Sequence, residues 1–579
     1  MFLSSADAKL ANQYLQATAK YLGMYQQLLG PYAYQKFALV ENFWETGFGM
    51  PSFTLLGSKV IRLPFILNSS YPHEILHNWW GNGVYVDYAT GNWSEGLTAY
   101  LADHLIKQQQ GQAVAYRQQA LQKYSDYAAK NRDFSIAEFR GRHSSASEAV
   151  GYGKTLMMFH MLRNKLGDEV FKKSLRRLYQ EYQFKLASFA ELEQIFSAEY
   201  GSSLKDFFSQ WVNRSGAPEL ALEGAKVSAS NNSYLLEFNL QQKQTGKAYQ
   251  LDIPLALTLE GKTRAHQQII TMTRKQQSFS IEVDAQPLRL DIDPAFDMFR
   301  KLDIQETPAA FTQVFGASEL TVILPRQEEE KLKAAWQDFA QAMSHMGPET
   351  VDIIWDDEIE ALPDQKAVAV LGWSNRFSKN MQQQLAQQGV QFDTDDIQNG
   401  LSHTPIKNHA FAWAIRLLPK GTDAEAVPRA WITADRPDAL SGLGRKLPHY
   451  HKYSYMAFEG PEPQNNLKGR WPVSQSPMTV LFKPNTAPAR LQQQMALIEA
   501  GSKFSQQRML ETINRLTDQS MQGRGFGDQG LDRAADVIAK AMAQAGLRPA
   551  GDQGSYFQAF TASGGQDHKT AQLKNVIGV

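Results

Sequence analysis

His73, Glu74 and His77 are the residues of this chain whose types and spacing point most directly to chemistry. Two histidines four residues apart on a helix lie one turn apart on the same face, so both imidazoles can reach one metal ion. Such a face suits zinc. A catalytic zinc also needs a third protein ligand, an open position for water and a base that takes a proton from that water. Glu74 is placed to be that base.

The spacing alone leaves an alternative open. With 12 histidines among 579 residues, the pattern His-Glu-x-x-His arises by accident in about one such chain in a hundred. The alternative is a buried helix whose histidines bond to backbone carbonyl groups. The residues that follow the motif favour the metal site.

Glu95 is the expected third ligand, because it opens a second amphipathic helical stretch. The apolar residues of that stretch recur at helical spacing and are Leu97, Tyr100, Leu101 and Leu105. A turn over residues 87–91 separates the two helices and would let the second fold back against the first. The alternative for Glu95 is a carboxylate that interacts with the dipole at the helix N-terminus.

At these residues the sequence resembles a known family. The ten residues from His73, His-Glu-Ile-Leu-His-Asn-Trp-Trp-Gly-Asn, followed by Trp-Ser-Glu-Gly at residues 93–96, resemble the aminopeptidase N family of zinc metallopeptidases. These are gluzincins with a thermolysin-like catalytic domain. The resemblance implies one zinc ion per chain, with His73, His77 and Glu95 as ligands and Glu74 as the catalytic base. Seventeen residues separate His77 from Glu95, one fewer than is usual in the family.

The stretch Phe-Ala-Leu-Val-Glu-Asn at residues 37–42 extends the resemblance. It lies where the family has a Gly-x-Met-Glu-Asn strand, whose glutamate binds the free α-amino group of the substrate. Glu41 would take that role, since an exopeptidase needs a fixed anion to pair with an ammonium group. Leu39 and Val40 replace the usual Gly and Met. The alternative is that Glu41 is a surface carboxylate at the end of a strand.

Tyr152 is the last candidate site residue. Gly-Tyr-Gly-Lys at residues 151–154 resembles the family's Tyr-x-Lys-Gly segment, in which the tyrosine hydroxyl hydrogen-bonds the tetrahedral oxyanion. Thr155 replaces the usual Gly. A phenol aimed where charge develops can contribute a few kcal/mol to the transition state, roughly the scale of one such donor. The alternative is a tyrosine that only fills the core.

Composition bounds the class of protein. The chain has 43% hydrophobic and 20% charged residues and no net charge, as ordinary globular proteins do, and nothing in it indicates nucleic acid as a partner. The chain has no apolar run of about 18 residues, so no transmembrane helix is predicted. The first residues lack a basic region and a long apolar stretch, so no signal peptide is predicted there. Cysteine is absent. This excludes disulfides and thiolate zinc sites. It favours a periplasmic or otherwise exported bacterial protein, with a cytoplasmic protein as the alternative.

The chain is predicted to be a multidomain α+β protein. Residues 1–216 are expected to form a mainly helical, thermolysin-like peptidase domain, residues 217–303 a β-sandwich, residues 304–482 an α/β domain and residues 483–579 a helical segment. The α/β stretch has no motif of its own, so we expect a spacer or a protein-contact module.

Both ends of the chain indicate a piece of a longer protein. The family has a large N-terminal β-domain for which there is no room here. The chain is therefore expected to be a fragment, and the alternative is a protein that lacks one wall of the usual cleft. Residues 531–560 and 574–579 resemble the opening of the di-zinc aminopeptidases related to glutamate carboxypeptidase, whose metal ligands come later. We therefore expect no second active site in these residues. His449 and His451 have no carboxylate at a useful spacing, and a solvated loop is expected there.

The residues and the resemblance together predict a zinc-dependent aminopeptidase that acts on peptides. One competing hypothesis is a zinc endopeptidase with the same zinc centre, which would not need Glu41 to bind the substrate. Another is a catalytically inactive protein that binds peptides or serves as a scaffold. The joint presence of a base and an oxyanion donor counts against the inactive protein, because a binding module needs neither.

Overall fold

The computed structural model describes residues 1–128, 132–230, 233–417, 426–473, 476–499, 506–564 and 569–579. The chain forms two compact units, residues 1–498 and residues 499–579. Helices and sheets occur in both units, so the multidomain α+β class predicted from the sequence is confirmed. Among the described residues, no helix is both long and apolar enough to cross a lipid bilayer.

The first part of the chain is mainly helical. Its helices are α1 (Ala8–Leu29), α2 (Ser70–Leu76), α3 (Trp93–Thr98), α4 (Leu105–Gln109), α5 (Ala113–Tyr127), α6 (Ser145–Glu148), α7 (Thr155–Leu166), α8 (Asp168–Tyr182), α9 (Phe189–Tyr200) and α10 (Lys205–Asn213). A π-helical turn over Ala99–His104 joins α3 to α4, and a second one over Ala149–Lys154 joins α6 to α7. Such turns are rare in proteins overall, and those that occur often lie at functional sites.

Five strands accompany these helices: β1 (Ala38–Asn42), β2 (Gly47–Met50), β3 (Phe53–Gly57), β4 (Tyr85–Val86) and β5 (Leu186–Ala187). The first three form a sheet in the order β1-β3-β2, so β2 is an edge strand. A Cβ on Gly49 would lie 2.7 Å from Cβ of His77, and one on Gly47 would lie 2.8 Å from Oε1 of Glu74. Glycine at these two positions therefore lets the backbone of β2 lie directly against α2.

Three tryptophans next to the motif pack the helices together. Trp79, Trp80 and Trp93 are fully buried. The rings of Trp80 and Trp93 lie 6.0 Å apart, edge to face, and Trp79 lies 5.7 Å from the ring of Tyr25 on α1. Each such ring removes a large apolar area from water, so they hold the second helix of the site against the first.

Two antiparallel sheets follow the helical part. Their strands are β6 (Leu220–Ser230), β7 (Ser233–Gln242), β8 (Leu251–Leu259), β9 (His266–Met272), β10 (Gln276–Val283) and β11 (Pro287–Ile292). One sheet has the order β10-β7-β6, and the other contains β11-β8-β9. Apolar residues alternate along β7, as expected of a strand with one buried face.

A seven-stranded mixed sheet forms the next part. The strands of this region are β12 (Glu319–Leu324), β13 (Thr350–Trp355), β14 (Ala367–Leu371), β15 (Val390–Phe392), β16 (Asp396–Asn399), β17 (Ser402–Pro405), β18 (His409–Leu417), β19 (Val427–Ala434), β20 (Tyr455–Glu459) and β21 (Gln464–Gly469). Its helices are α11 (Phe311–Phe315), α12 (Glu330–Met343), α13 (Ser378–Ala386) and α14 (Asp438–Lys446). The order of the large sheet is β13-β12-β14-β19-β18-β20-β21, and its first four strands are parallel.

The end of the first unit differs from the sequence-based division at residue 482. β22 (Thr479–Leu481) pairs with β11, so these residues extend the four-stranded sheet rather than the α/β region. Residues 483–498 also belong to the first unit. The side chain of Gln109 donates a hydrogen bond to the carbonyl of Ile498 (2.7 Å), and Arg163 donates one to that of Met495 (2.6 Å). These pairings join residues far apart in sequence, which local patterns do not reveal.

The second unit is small. It contains α15 (Gln506–Thr517), α16 (Gln529–Gln544) and the antiparallel hairpin of β23 (Phe557–Gly564) and β24 (Lys569–Val576). α16 packs on β24. The Gly-rich stretch at residues 523–527 precedes α16 and does not follow a strand, so it lacks the context of a phosphate-binding loop.

Candidate metal centre

His73, His77 and Glu95 meet in the structure. Nε2 of His73 lies 3.4 Å, and Nε2 of His77 3.5 Å, from the same oxygen, Oε2 of Glu95. That oxygen is buried and has no hydrogen-bond partner among the described residues. Two ligands about 2.0–2.1 Å from a tetrahedral zinc ion are about 3.3–3.4 Å apart. The donor set and its spacing therefore fit zinc.

The other ring nitrogens of the two histidines have fixed partners. Nδ1 of His73 lies 2.8 Å from Oδ2 of Asp103, and Nδ1 of His77 lies 3.0 Å from the carbonyl oxygen of Trp80. Both partners accept, so each Nδ1 carries the proton and each Nε2 lone pair is left for a metal. Sequence reasoning does not identify Asp103 as a partner of this cluster, although it lies within the stretch that Glu95 opens.

Local capping explains how Glu95 is presented. Asn92 precedes α3, and its side-chain oxygen accepts hydrogen bonds from the backbone N–H (3.2 Å) and the hydroxyl (2.8 Å) of Ser94. Trp93 donates its indole N–H to the carbonyl of Ala187 (2.8 Å). Asparagine is a favoured residue before a helix for this reason. The cap fixes the first turn of α3, where Glu95 lies.

Glu74 points into the same cleft and is not engaged by the protein. Its carboxylate makes no hydrogen bond or ion pair with any residue that the structure describes, and it lines the cleft together with His73 and His77. Burial raises the pKa of Glu74 above its usual value. A raised pKa improves a carboxylate as a proton acceptor near neutral pH.

Tyr152 lies on the π-helical turn between α6 and α7 and also lines the cleft. Its ring stacks on that of His73 with 6.2 Å between centroids and meets Phe139 edge to face at 5.9 Å. Burial and the negative charge of Glu95 raise the pKa of Tyr152. The phenol is therefore protonated at neutral pH and can donate a hydrogen bond.

The structure does not bring Glu41 to this cluster. Glu41 and Gly47 pair with the same residue of β3, Leu56, from opposite sides, so two strand spacings, about 10 Å, separate their backbones. The Glu41 carboxylate accepts hydrogen bonds from the N–H (2.7 Å) and hydroxyl (2.8 Å) of Ser4 and from Arg62 (2.6 Å). Glu41 does not line the cleft in the described structure. Its carboxylate is already occupied by this ion pair.

We expect Glu41→Gln to affect stability and leave substrate affinity unchanged. The hydrogen bond with Arg62 lowers the pKa of Glu41 to about 2. This depressed pKa stabilises the fold above pH ~4.5, and the contribution is lost as the pH falls toward ~2. The variant should lose about 1–2 kcal/mol of unfolding free energy at pH 7 and that part of the acid dependence. Urea unfolding between pH 3 and pH 7 measures both. A large rise in KM at unchanged stability would instead indicate that Glu41 binds the substrate.

Asp103→Ala should weaken zinc binding by about 10- to 100-fold, the range found for outer partners of ligating histidines. The side chain orients the imidazole of His73 without being one of the three clustered ligands. Competition with a chelator measures the affinity. Asp338→Ala, at an exposed position on α12, is the matched control. Equal zinc affinity in both variants and in the wild type would exclude this role for Asp103.

The cleft has a volume of about 980 Å³, and part of its lining comes from the α/β region. Thr312, His449, His451 and Lys452 all border it. The expectation of a solvated loop is therefore wrong for His451, which is half-buried and bonded through Nδ1 to the hydroxyl of Tyr127 (3.1 Å). His449 is exposed at the edge of the cleft.

Comparisons with known proteins agree with the motif. Residues 68–211 match the model of the peptidase family M1 domain. A leucyl aminopeptidase of Saccharolobus solfataricus is 19% identical over 266 residues, which cover 44% of this chain and 33% of that protein. Aminopeptidase M1-D of Oryza sativa subsp. japonica is 24% identical over 245 residues, 38% of this chain and 28% of that protein.

A solved structure, that of Legionella pneumophila aminopeptidase A in complex with aspartic acid, is similar over 58% of this chain and 38% of that one. The identity is 14% and the TM-score is 0.38. The matched segments span about a third of the length of these two curated relatives. Residues 68–211 are thus similar to the domain of peptidase family M1, and the relatives named aminopeptidases support a peptidase of that kind.

Proposed function

We propose that this chain is a zinc-dependent aminopeptidase, which hydrolyses the N-terminal peptide bond of peptides. The observation that carries the proposal is the cluster of His73, His77 and Glu95, with the unengaged carboxylate of Glu74 beside it in one cleft. The M1 domain match and the names of the relatives support the choice of an aminopeptidase among zinc hydrolases.

In this proposal the three clustered residues hold one zinc ion. Zinc bound there would act as a Lewis acid, which polarises a substrate carbonyl and acidifies water at its open position. Glu74 accepts the proton of the attacking water and later delivers it to the leaving amine. Tyr152 donates its hydroxyl hydrogen to the carbonyl oxygen as negative charge develops there. Asp103 and the carbonyl of Trp80 keep the imidazoles oriented.

The position of Glu41 supports a second candidate. An aminopeptidase needs an anion for the α-amino group of its substrate, and Glu41 is paired with Arg62 away from the cleft. A zinc endopeptidase with the same centre needs no such anion. This candidate shares the metal, the base and the oxyanion donor, and differs only in what it requires of the substrate terminus.

One experiment distinguishes the aminopeptidase from the endopeptidase. Zinc content is measured by elemental analysis, and hydrolysis is followed for one peptide with a free α-amino group and for the same peptide acetylated there. An aminopeptidase cleaves only the free form and releases its first residue. Cleavage of both forms at internal bonds would contradict the aminopeptidase and support the zinc endopeptidase. One zinc ion per chain with neither form cleaved would favour an inactive peptide-binding protein.

A further inference from the structure

One wall of the cleft carries an excess of positive charge. Lys123 on α5, Arg142 and Lys452 all border the cleft, and Glu148 is the only described carboxylate there outside the metal cluster and its neighbours Glu74 and Asp103. Lys123 lies 2.5 Å and Arg142 3.0 Å from the two oxygens of Glu148. The wall thus holds three cations and one carboxylate, and Lys123 and Arg142 pair with that carboxylate, which leaves an excess of two positive charges.

Lys452 is the cation without a partner. Among the described residues its ammonium group forms no hydrogen bond and no ion pair, and its nearest aromatic contact is the ring of Tyr453, 5.5 Å away. Burial lowers the pKa of Lys452, and the cations Lys107, Arg470, Lys468 and Lys123 lower it further. A half-buried ammonium among like charges costs free energy unless an anion joins it.

The backbone on both sides of Lys452 is fixed. The carbonyl of His451 accepts a hydrogen bond from the N–H of Thr312 (2.8 Å), and that of Tyr453 accepts one from Phe311 (3.3 Å). The ring of His451 is bonded to Tyr127 at the end of α5. Lys452 is therefore presented to the cleft by an anchored segment, so little conformational freedom is lost when an anion binds.

We propose that this wall binds a carboxylate of the peptide substrate, and that the preferred substrates are short peptides with a free C-terminal carboxylate. The inference rests on the proposed peptidase function. Peptides offer a carboxylate only at the C-terminus or on Asp and Glu side chains, and ammonium and guanidinium groups recognise either through charge-assisted hydrogen bonds. A cleft of about 980 Å³ is at the upper end of those that enclose a small ligand, which suits a peptide of a few residues.

The test compares a tripeptide acid with its C-terminal amide. For the wild-type enzyme loaded with zinc, we expect kcat/KM to be roughly 10-fold higher for the acid, as one charge-assisted contact allows. Lys452→Gln should remove most of this difference and leave hydrolysis of the amide unchanged. Lys483→Gln, at an exposed position outside the cleft, should behave as the wild type. Because Lys452 has no partner to lose, its variant should melt at the wild-type temperature or above it.

A second substrate pair identifies the source of the carboxylate. Two tripeptide amides that differ only by Asp or Asn at the third residue report whether a side-chain carboxylate is accepted in place of the terminal one. A preference for Asp that Lys452→Gln abolishes, without an acid-over-amide difference, would keep the carboxylate site and overturn the claim about the C-terminus.

Failure of the inference and failure of the proposed function give different results. Equal kcat/KM for acid and amide, in the wild type and in Lys452→Gln, would overturn the inference while the peptidase stands. If no substrate is hydrolysed, the proposed function fails. Calorimetric titration with the acid and the amide then tests the wall alone, and equal or absent binding of the two would overturn the inference as well.

Discussion

Replacing Glu74 by Gln should lower kcat by about 10²- to 10⁴-fold while the zinc content stays that of the wild type. The range is what a positioned general base contributes. Gln has the same shape and can fill the same place against Gly47 on β2, but it cannot accept the proton of the attacking water. Zinc is retained because Glu74 does not belong to the cluster of His73, His77 and Glu95.

The control for this variant is Glu169→Gln, an exposed change at the start of α8, which should leave kcat unaltered. Activity and metal content are measured on the same samples. Full activity of Glu74→Gln would remove Glu74 from the mechanism. Loss of activity together with loss of zinc would mean that the variant disturbs the cluster, and the assignment of Glu74 as the base would then lack support.

The metal cluster could be predicted because it depends on short-range spacing. Two histidines one helical turn apart lie on the same face as soon as their segment is helical, and no other part of the fold is required. Glu95 then needs only a turn that folds the next helix back, which Asp87 and Gly91 indicate. Asp87 begins this turn, where its side chain accepts a hydrogen bond from the N–H of Ala89 (3.1 Å), and Gly91 ends it with φ +117°, a value that favours glycine.

The sequence does not reveal the role of Asp103 because the direction of its side chain depends on a helical irregularity. In a regular α-helix, eight residues are about 2.2 turns, which turns Asp103 roughly 80° away from Glu95. The π-helical turn over Ala99–His104 takes up one extra residue, so the separation becomes close to two full turns and both side chains share a face. Sequence periodicity assumes a uniform helix and does not place this turn.

Glu41 and Lys452 show the same limit at longer range. The sequence around Glu41 predicts a strand, and the structure has one there, β1. Which strand borders the cleft is decided by the order β1-β3-β2, and no local pattern encodes that order. Lys452 is separated from Tyr152 by 300 positions in the chain. The two border one cleft only because residues 447–454 dock on α5 and α11. Residues that a motif names can be found from sequence, whereas residues brought in by docking cannot.

Removing a ligand tests the centre most directly. His77→Ala should abolish zinc binding at concentrations that saturate the wild type, and with it all hydrolysis. The loss should exceed the roughly 10- to 100-fold that an outer partner such as Asp103 contributes, because two ligands remain where a catalytic zinc needs three. Elemental analysis after dialysis against zinc-buffered solution measures the content, and chelator competition measures the affinity.

The same variant separates loss of metal from loss of fold. A metal that binds only the native state raises the melting temperature with its concentration, so added zinc should stabilise the wild type and leave His77→Ala unchanged. His345→Ala, an exposed histidine after α12, should respond as the wild type does. If His77→Ala still gained stability from zinc and still hydrolysed peptides, His77 would not be a ligand. The cluster of Nε2 atoms around Oε2 of Glu95 would then reflect helix packing, the alternative that the motif alone leaves open.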